Sequence, residues 1–145
     1  MKIVINEDIA VEETEVIINC KKGDKDIFKM LAILRSFDQK LTGVRDGSTF
    51  IIDAVDVLYC ESVDRKTFIY TMDGTYETPL RLYELEERLL GGDFFRASKQ
   101  NIINISKIVS LRPEFSGKIE VTLQSGERLY VSRQYVPVLK SKLGM

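Results

Sequence analysis

Apolar and polar residues alternate in short runs along much of the chain, and this alternation is typical of β-strands with one buried face. Before residue 54, runs rich in β-branched residues predict strands at 2–6 and 15–20, and residues 41–53 are predicted to form a hairpin. The hairpin turn is Arg45-Asp46-Gly47, because Asp-Gly supplies the positive φ that a tight turn needs. The N-terminal part is therefore predicted to be rich in strands.

The segment between these strands has the apolar spacing of a helix. The residues at that spacing are Ile27, Leu31, Leu34 and Leu41. Asp24 is the predicted N-cap, since its carboxylate can accept from a free N–H of the first turn, and the helix is predicted to end near Asp38. Residues 1–53 would then form a small β-β-α-β-β module.

After residue 54 the chain becomes a series of short strands with polar turns. The predicted strands are 55–63, 66–72, 75–79, 94–98, 101–104, 107–113, 118–124 and 127–132. A short helix at 80–90 ends at Gly91-Gly92. Either Ser132 caps a helix in the tail, or a turn follows Ser132 and the helix starts at Pro137. The predicted fold class is mostly β, α+β overall, with a β-rich domain at 54–145 after the module at 1–53.

The composition argues against several classes of function. No apolar run approaches the roughly 18 residues of a spanning helix, and the N-terminus turns acidic where a signal peptide would be apolar, which favours a cytoplasmic protein. The chain has no histidine, so it lacks the commonest general base and the commonest metal ligand. We therefore expect no enzyme activity, no cofactor and no metal site.

The two cysteines, Cys20 and Cys60, each lie inside an apolar run that resembles a strand. The sequence around them offers no second cluster of ligands, so a metal-binding or catalytic role is not indicated. Both side chains are predicted to be buried, reduced thiols.

Charge is distributed unevenly although the net charge of the chain is only −1. Residues 1–93 hold 12 basic and 19 acidic residues, whereas residues 94–145 hold 9 basic and 3 acidic residues. A basic C-terminal part indicates contact with a polyanion such as a nucleic acid. Attraction between the two parts of the chain explains the same split, and charge alone leaves both explanations open.

Four segments in the second part stand in a recognisable order. They are VDVLYCESVDRKTFIYTMDG, LYELEERL, FFRASKQNIINISKIVSL and LYVSRQYVPVLKSKL. Together they cover about residues 53–145 and resemble the LytTR-type DNA-binding domain of bacterial response regulators. The resemblance implies an elongated set of β-sheets that reaches DNA through loops instead of a recognition helix. The first 53 residues are too few for a receiver domain, so a stand-alone member of the family is expected.

The resemblance also implies which residues contact DNA. Contacts to bases are expected from Lys66, Lys99 and Arg133, since Lys and Arg can donate to guanine O6 and N7 in the major groove. Contacts to the DNA backbone are expected from Arg65, Arg96, Ser98, Gln100, Ser132 and Gln134. The alternatives are solvated surface charges for the basic residues, turn or cap chemistry for the serines, and bracing of a neighbouring loop for Arg96.

Aromatic side chains on the predicted strands allow a further reading. Tyr59, Phe68, Tyr70, Phe94 and Phe95 could stack on the bases of a single strand. Their alternation with polar residues favours packing in a core instead. Asn104 ends an apolar run and is predicted to brace a turn.

These observations predict a DNA-binding transcription regulator. The resemblance implies double-stranded DNA with paired half-sites as the target and a homodimer on that DNA. By resemblance to stand-alone members, a membrane-bound inhibitor protein is a further expected partner. The module at 1–53 would dimerise or receive a regulatory signal. Two alternatives stay open, namely a protein-interaction module with weak or no specific DNA binding, and a single-strand binder.

Overall fold

Two antiparallel sheets and three α-helices build the protein. The computed structural model describes residues 1–37 and 39–145, and the elements below are those of the described residues. The helices are α1 Ile27–Phe37, α2 Leu82–Arg88 and α3 Val136–Leu143. The strands are β1 Lys40–Arg45, β2 Ser48–Asp53, β3 Val57–Val63, β4 Lys66–Thr71, β5 Gly74–Thr78, β6 Phe94–Arg96, β7 Asn101–Asn104, β8 Ile108–Pro113, β9 Ile119–Leu123 and β10 Arg128–Val131. The mostly β fold class is confirmed.

Hairpins connect most neighbouring strands. Within the described residues the first sheet has seven strands in the order β2-β1-β5-β4-β3-β7-β6, and the second has three in the order β10-β9-β8. Asp46 and Gly47 both have positive φ in the β1–β2 turn, as the Asp-Gly signal predicted. Because hairpin registers follow from such tight turns, the strand order of the sheet is largely set by local sequence.

The two strands predicted at 2–6 and 15–20 are wrong, because neither segment has strand structure. Both segments are almost entirely exposed, including the apolar side chains of Ile3, Ile5 and Ile17. Runs of β-branched residues form a strand only where a neighbouring strand supplies hydrogen bonds and a packing surface. The predicted β-β-α-β-β module therefore lacks its first two strands.

The β1–β2 hairpin continues the sheet of the second part of the chain. Val44 on β1 pairs with Glu77 on β5, so strand pairing crosses the boundary that was predicted at residue 53. Leu41 lies on β1, not on the helix, and is only 1% exposed in the core. The position of the domain boundary stays a prediction, but the hairpin is part of the larger sheet.

Gly43 permits this close approach of β1 and β5. A Cβ atom added at Gly43 would lie 2.5 Å from the Cβ atom of Tyr76, which is shorter than real contacts between such atoms. We expect Gly43→Ala to lower the free energy of unfolding by about 1–3 kcal/mol, as overpacking does. Urea unfolding measures this, with Thr42→Ala on the same strand as the control. An unchanged free energy for Gly43→Ala would contradict the close packing of the hairpin.

Helix α1 begins close to its predicted start. The predicted N-cap is wrong: α1 begins at Ile27, and the Asp24 carboxylate accepts from the N–H of Asp26 at 3.0 Å in a turn before the helix. The predicted end at Asp38 lies outside the described residues. Phe28 and Phe37 are exposed on the described part of this helix.

The core has two parts on opposite faces of the seven-stranded sheet. Ile102 packs on one face with α2, whereas Ile103, the next residue, packs on the other face with the second sheet and α3. Cys60 is fully buried, and burial raises the pKa of its thiol to about 12. The prediction for Cys20 is wrong, because that thiol is exposed on the unpaired N-terminal segment.

The C-terminal tail follows the second of the two predicted alternatives. A 3₁₀ turn at Arg133–Tyr135 comes first, and α3 begins at Val136 with Pro137 in its first turn. Ser132 stands at the N-cap of the 3₁₀ turn, but its side chain makes no capping hydrogen bond. Leu139 anchors α3 in the core, which fixes the position of the segment just before it.

Candidate nucleic-acid interface

Backbone hydrogen bonds hold three connections of the chain close together at one end of the β-structure. We call them loop 1 (residues 63–66, between β3 and β4), loop 2 (97–101, between β6 and β7) and loop 3 (132–135, between β10 and α3). The N–H of Ser62 donates to the carbonyl of Gln100 at 2.8 Å, and the N–H of Ser132 donates to the carbonyl of Ala97 at 2.8 Å. Loop 2 is thus bonded to the strand end before loop 1 and to the start of loop 3.

Loop 2 is held in one conformation by two side chains. The Arg96 guanidinium donates from Nε to the carbonyl of Ser98 and from Nη2 to the carbonyl of Lys99, both at 2.8 Å. Its Nη1 atom lies 3.5 Å from a carboxylate oxygen of Glu86 on α2. The Ser98 hydroxyl oxygen accepts from the N–H groups of Gln100 and Asn101, each at 3.1 Å. Arg96 therefore braces loop 2, which is one of the two roles predicted for this residue.

The predicted base-contacting side chains are exposed on these loops. Lys66, Lys99 and Arg133 lie on loops 1, 2 and 3 respectively, and all three are exposed. Within residues 1–37 and 39–145 none of the three forms a salt bridge, so their charges are available to an outside ligand. Of the residues predicted at the DNA backbone, Arg65, Gln100 and Gln134 are exposed, Arg96 and Ser132 half-buried and Ser98 buried.

The turn in loop 1 has an unusual backbone at Arg65. Asp64 and Arg65 have φ values of 50° and 65°, the left-handed conformation that a two-residue hairpin turn requires. Asp adopts this conformation readily, but for Arg it costs on the order of 1 kcal/mol. The presence of Arg at this position is consistent with a role for its side chain beyond the turn itself.

Loop 3 rests on the turn between β8 and β9. A Cβ atom added at Gly117 would lie 3.1 Å from Nε and 3.2 Å from Cγ of Arg133, so the Arg133 side chain crosses this glycine closely. The sequence pattern gave no signal for this contact, because Gly117 and Arg133 belong to different connections of the second sheet.

A pair of stacked tyrosines on β3 and β4 is linked by one hydrogen bond to the turn before β10 in the second sheet. The rings of Tyr59 and Tyr70 are 4.2 Å apart and nearly parallel. Tyr59 donates to Glu127 at 2.7 Å and Tyr70 donates to Glu61 at 3.1 Å. Burial, then these carboxylates, raises the pKa of both phenols, that of Tyr70 to about 12. Sequence reasoning did not find this cluster, which depends on strand register.

Three of the aromatic side chains lie in the core, and Asn104 braces a turn. Tyr59, Phe94 and Phe95 are buried, which confirms packing in the core and leaves their ring faces covered. Asn104 donates to the carbonyl of Val57 at 2.8 Å and accepts from the N–H of Ser106 at 3.1 Å. The prediction that Asn104 braces a turn is confirmed.

The described residues contain neither a metal-ligand cluster nor a membrane-spanning helix. Among residues 1–37 and 39–145 there is no group of three or more Cys, Asp or Glu side chains that could hold a metal ion. No helix in the described part of the chain is both long and apolar enough to cross a membrane.

A fold of linked antiparallel sheets with exposed basic loops defines a β-rich binding domain, and comparison with known proteins gives its family. The family model of the LytTr DNA-binding domain matches residues 47–144, so the chain belongs to this family. A solved LytTr DNA-binding domain from Bacillus cereus has the same fold, with a TM-score of 0.70 at 24% identity. The match covers 74% of this chain and 99% of that domain.

Two relatives differ in how much of their length this chain covers. The sensory transduction protein LytT of Bacillus subtilis (strain 168) is 27% identical over 123 residues, 85% of this chain. The chain spans about half (51%) of that relative. An uncharacterized HTH-type transcriptional regulator of Staphylococcus aureus (strain NCTC 8325) is 29% identical over 145 residues, covering 97% of this chain and 98% of the relative.

The role of Arg96 can be tested by a conservative change. Lysine carries its donors on one nitrogen and cannot reproduce the planar fork with which Arg96 reaches two loop carbonyls and a carboxylate, so we expect Arg96→Lys to loosen loop 2. Amide hydrogen exchange at residues 97–101 should then become faster, and duplex DNA binding should weaken about tenfold, or 1.4 kcal/mol. Arg128→Lys, on β10 and outside the three loops, is the control. Unchanged exchange together with unchanged binding would exclude the bracing role.

Proposed function

We propose that the protein is a transcription regulator that reads duplex DNA through loops 1, 2 and 3. The observation that carries this proposal is a pair of backbone hydrogen bonds, from the N–H of Ser62 to Gln100 and from the N–H of Ser132 to Ala97, which ties loop 2 to the end of β3 before loop 1 and to the start of loop 3. The family is one of DNA-binding domains, and two relatives are named as a sensory transduction protein and a transcriptional regulator. We assign the protein to the cytoplasm, where such a target is accessible.

The proposed contacts divide into base and backbone contacts. Lys66, Lys99 and Arg133 donate to base edges in the major groove, where guanine presents two acceptors. Arg65, Gln100, Ser132 and Gln134 bond phosphate oxygens and fix the position of the protein on the duplex. Loops suit this task because the sheets behind them are rigid.

Two residues predicted at the DNA backbone receive a different role in this proposal. The donors of Arg96 and the hydroxyl oxygen of Ser98 already bond within loop 2 and to Glu86. We assign both as positioning residues that orient Lys99 and Gln100. No helix-turn-helix reader is available in the described residues, because five strands separate α1 from α2 and five separate α2 from α3.

We further propose that two copies bind paired half-sites and that the N-terminal segment joins them. Residues 1–22 are nearly all exposed and carry strand-like apolar patterns without a partner strand. A second copy offers the same pattern, so each segment could supply the other with the missing strand. A membrane-bound inhibitor remains a prediction from family resemblance, and co-purification from membranes tests it.

The dimer proposal predicts the effect of charges placed in this segment. Ile5→Lys with Ile17→Lys should turn a dimer into a monomer, because a lysine cannot be buried against an apolar partner segment without a large cost. Light scattering after size-exclusion chromatography gives the mass. Leu90→Lys, which also changes an exposed apolar residue, should leave the dimer intact. A wild-type monomer both free and on DNA would exclude this interface.

Selection of bound fragments from random duplex DNA tests the proposed function. We expect enrichment of a sequence with two similar half-sites and sub-micromolar binding to it at moderate salt. A protein-interaction module without specific DNA binding would enrich no sequence. A single-strand binder would prefer the separated strands of the selected fragment over the duplex.

A further inference from the structure

The turn between β8 and β9 carries an aromatic side chain that the protein does not bury. Phe115 is fully exposed at the tip of this hairpin. The tip is well defined, since the N–H of Glu114 donates to the carbonyl of Lys118 at 2.9 Å and the N–H of Gly117 donates to the carbonyl of Glu114 at 3.1 Å. Because this phenyl ring stays in water, it does not contribute to the stability of the fold.

This tip lies directly beside loop 3. Gly117, two residues after Phe115, is crossed by the Arg133 side chain, with its added Cβ position only 3.1–3.3 Å from three Arg133 atoms. Two residues span at most about 7 Å of chain. Phe115 therefore lies within a short distance of a side chain that we assign to a base contact.

The surroundings of Phe115 favour a polyanionic partner. Arg112 and Lys118 flank the tip and are exposed, and Glu114 is the one acidic residue of the 112–118 segment. A single exposed apolar residue needs no explanation by itself. The position of Phe115 at a tip, the contact of Arg133 with Gly117 in the same turn and the basic neighbours together distinguish Phe115.

We propose that the β8–β9 tip is a fourth DNA-contacting element and that Phe115 is an apolar wedge for the minor groove. A phenyl ring has no donor or acceptor to read base edges, but it can enter a base step from the minor groove and bend the duplex. With Arg133 in the major groove, the tip reaches across the intervening phosphates to the neighbouring minor groove. This inference rests on the proposed function, and the partner is duplex DNA.

The test compares three variants on the duplex that selection from random DNA returns. Fluorescence anisotropy gives the affinity, and energy transfer between dyes at the two duplex ends gives the bend. We expect Phe115→Ala to bind five- to twentyfold more weakly and to bend the duplex less. Phe115→Leu should keep the bend, because leucine is also an apolar wedge. Tyr83→Ala, which removes another exposed aromatic on α2, should behave as wild type.

The outcomes separate this inference from the proposed function. If Arg133→Ala binds weakly while Phe115→Ala binds and bends DNA as wild type does, the wedge is excluded and the proposed function stands. If Phe115→Ala loses affinity with an unchanged bend, insertion into the duplex is likewise excluded. A wild-type protein that binds no duplex overturns the proposed function, and the wedge with it. Thermal melting checks that each variant is folded.

Discussion

Arg133→Ala is expected to weaken binding to the selected duplex about 10- to 100-fold. A good arginine contact to guanine O6 and N7 contributes about 1–3 kcal/mol of discrimination, and the alanine variant loses it. Arg133 is exposed and forms no salt bridge within residues 1–37 and 39–145, so its removal should not unfold the domain. The loss should also be specific, so that the variant no longer distinguishes the selected sequence at one base pair of each half-site.

Arg128→Ala is the matched control for this experiment. Arg128 lies on β10, the strand just before loop 3. Its side chain is exposed and lies 3.9 Å from a carboxylate oxygen of Glu120. The Arg128→Ala variant should bind DNA as the wild type does, because Arg128 lies outside the three loops. Replacing the contacted guanine by 7-deazaguanine removes the N7 acceptor and should weaken the wild type but not Arg133→Ala. If Arg133→Ala binds with wild-type affinity and specificity, this residue does not read the base.

Local signals predicted most of the second part of the chain correctly. Turn residues with positive φ, such as Gly117 and Gly126, separate strands whose alternating patterns match one buried face. Hairpins depend on contacts between residues close in sequence, so their register can be read from the pattern. The pairing of β1 with β5 could not be read in this way, since it joins strands that are distant in sequence.

The N-terminal segment shows the limit of the same reasoning. Residues 2–6 have as strong a strand pattern as β9 but no neighbouring strand, and they stay exposed. Cys20 was predicted to be buried for the same reason and is exposed with the segment. An apolar pattern indicates that a segment can form a strand. Whether a partner strand is available depends on the rest of the fold or on a second copy.

The sequence predicted which residues belong to the candidate site, whereas the contacts that hold these residues in place are visible only in the structure. The resemblance identified Lys66, Lys99 and Arg133, and their exposure agrees with that assignment. Neither the bracing bonds of Arg96 nor the contact of Arg133 with Gly117 has a signature in a single sequence. Both connect side chains to backbone atoms whose positions are decided by tertiary packing.

Salt should reduce DNA affinity more than any single substitution. Each phosphate neutralised by Lys or Arg releases counterions, and the logarithm of the binding constant falls with the logarithm of salt by about 0.9 per phosphate. Counting one phosphate charge for each of the four basic residues of the loops, Arg65, Lys66, Lys99 and Arg133, the affinity should fall about 150-fold between roughly 50 and 200 mM salt. Absent or salt-insensitive binding would favour a protein-interaction module without specific DNA binding instead.

The slope also identifies the residues that contact phosphates. Arg65→Gln on loop 1 should reduce the slope by about 0.9 while leaving the preferred sequence unchanged, because a phosphate contact carries no sequence information. Arg128→Gln, which removes an equal charge away from the loops, should leave the slope as it is. Titrations at four salt concentrations suffice to measure both. Equal slopes for Arg65→Gln and wild type would mean that loop 1 does not contact the DNA backbone through this residue, and the strained backbone at Arg65 would then need another explanation.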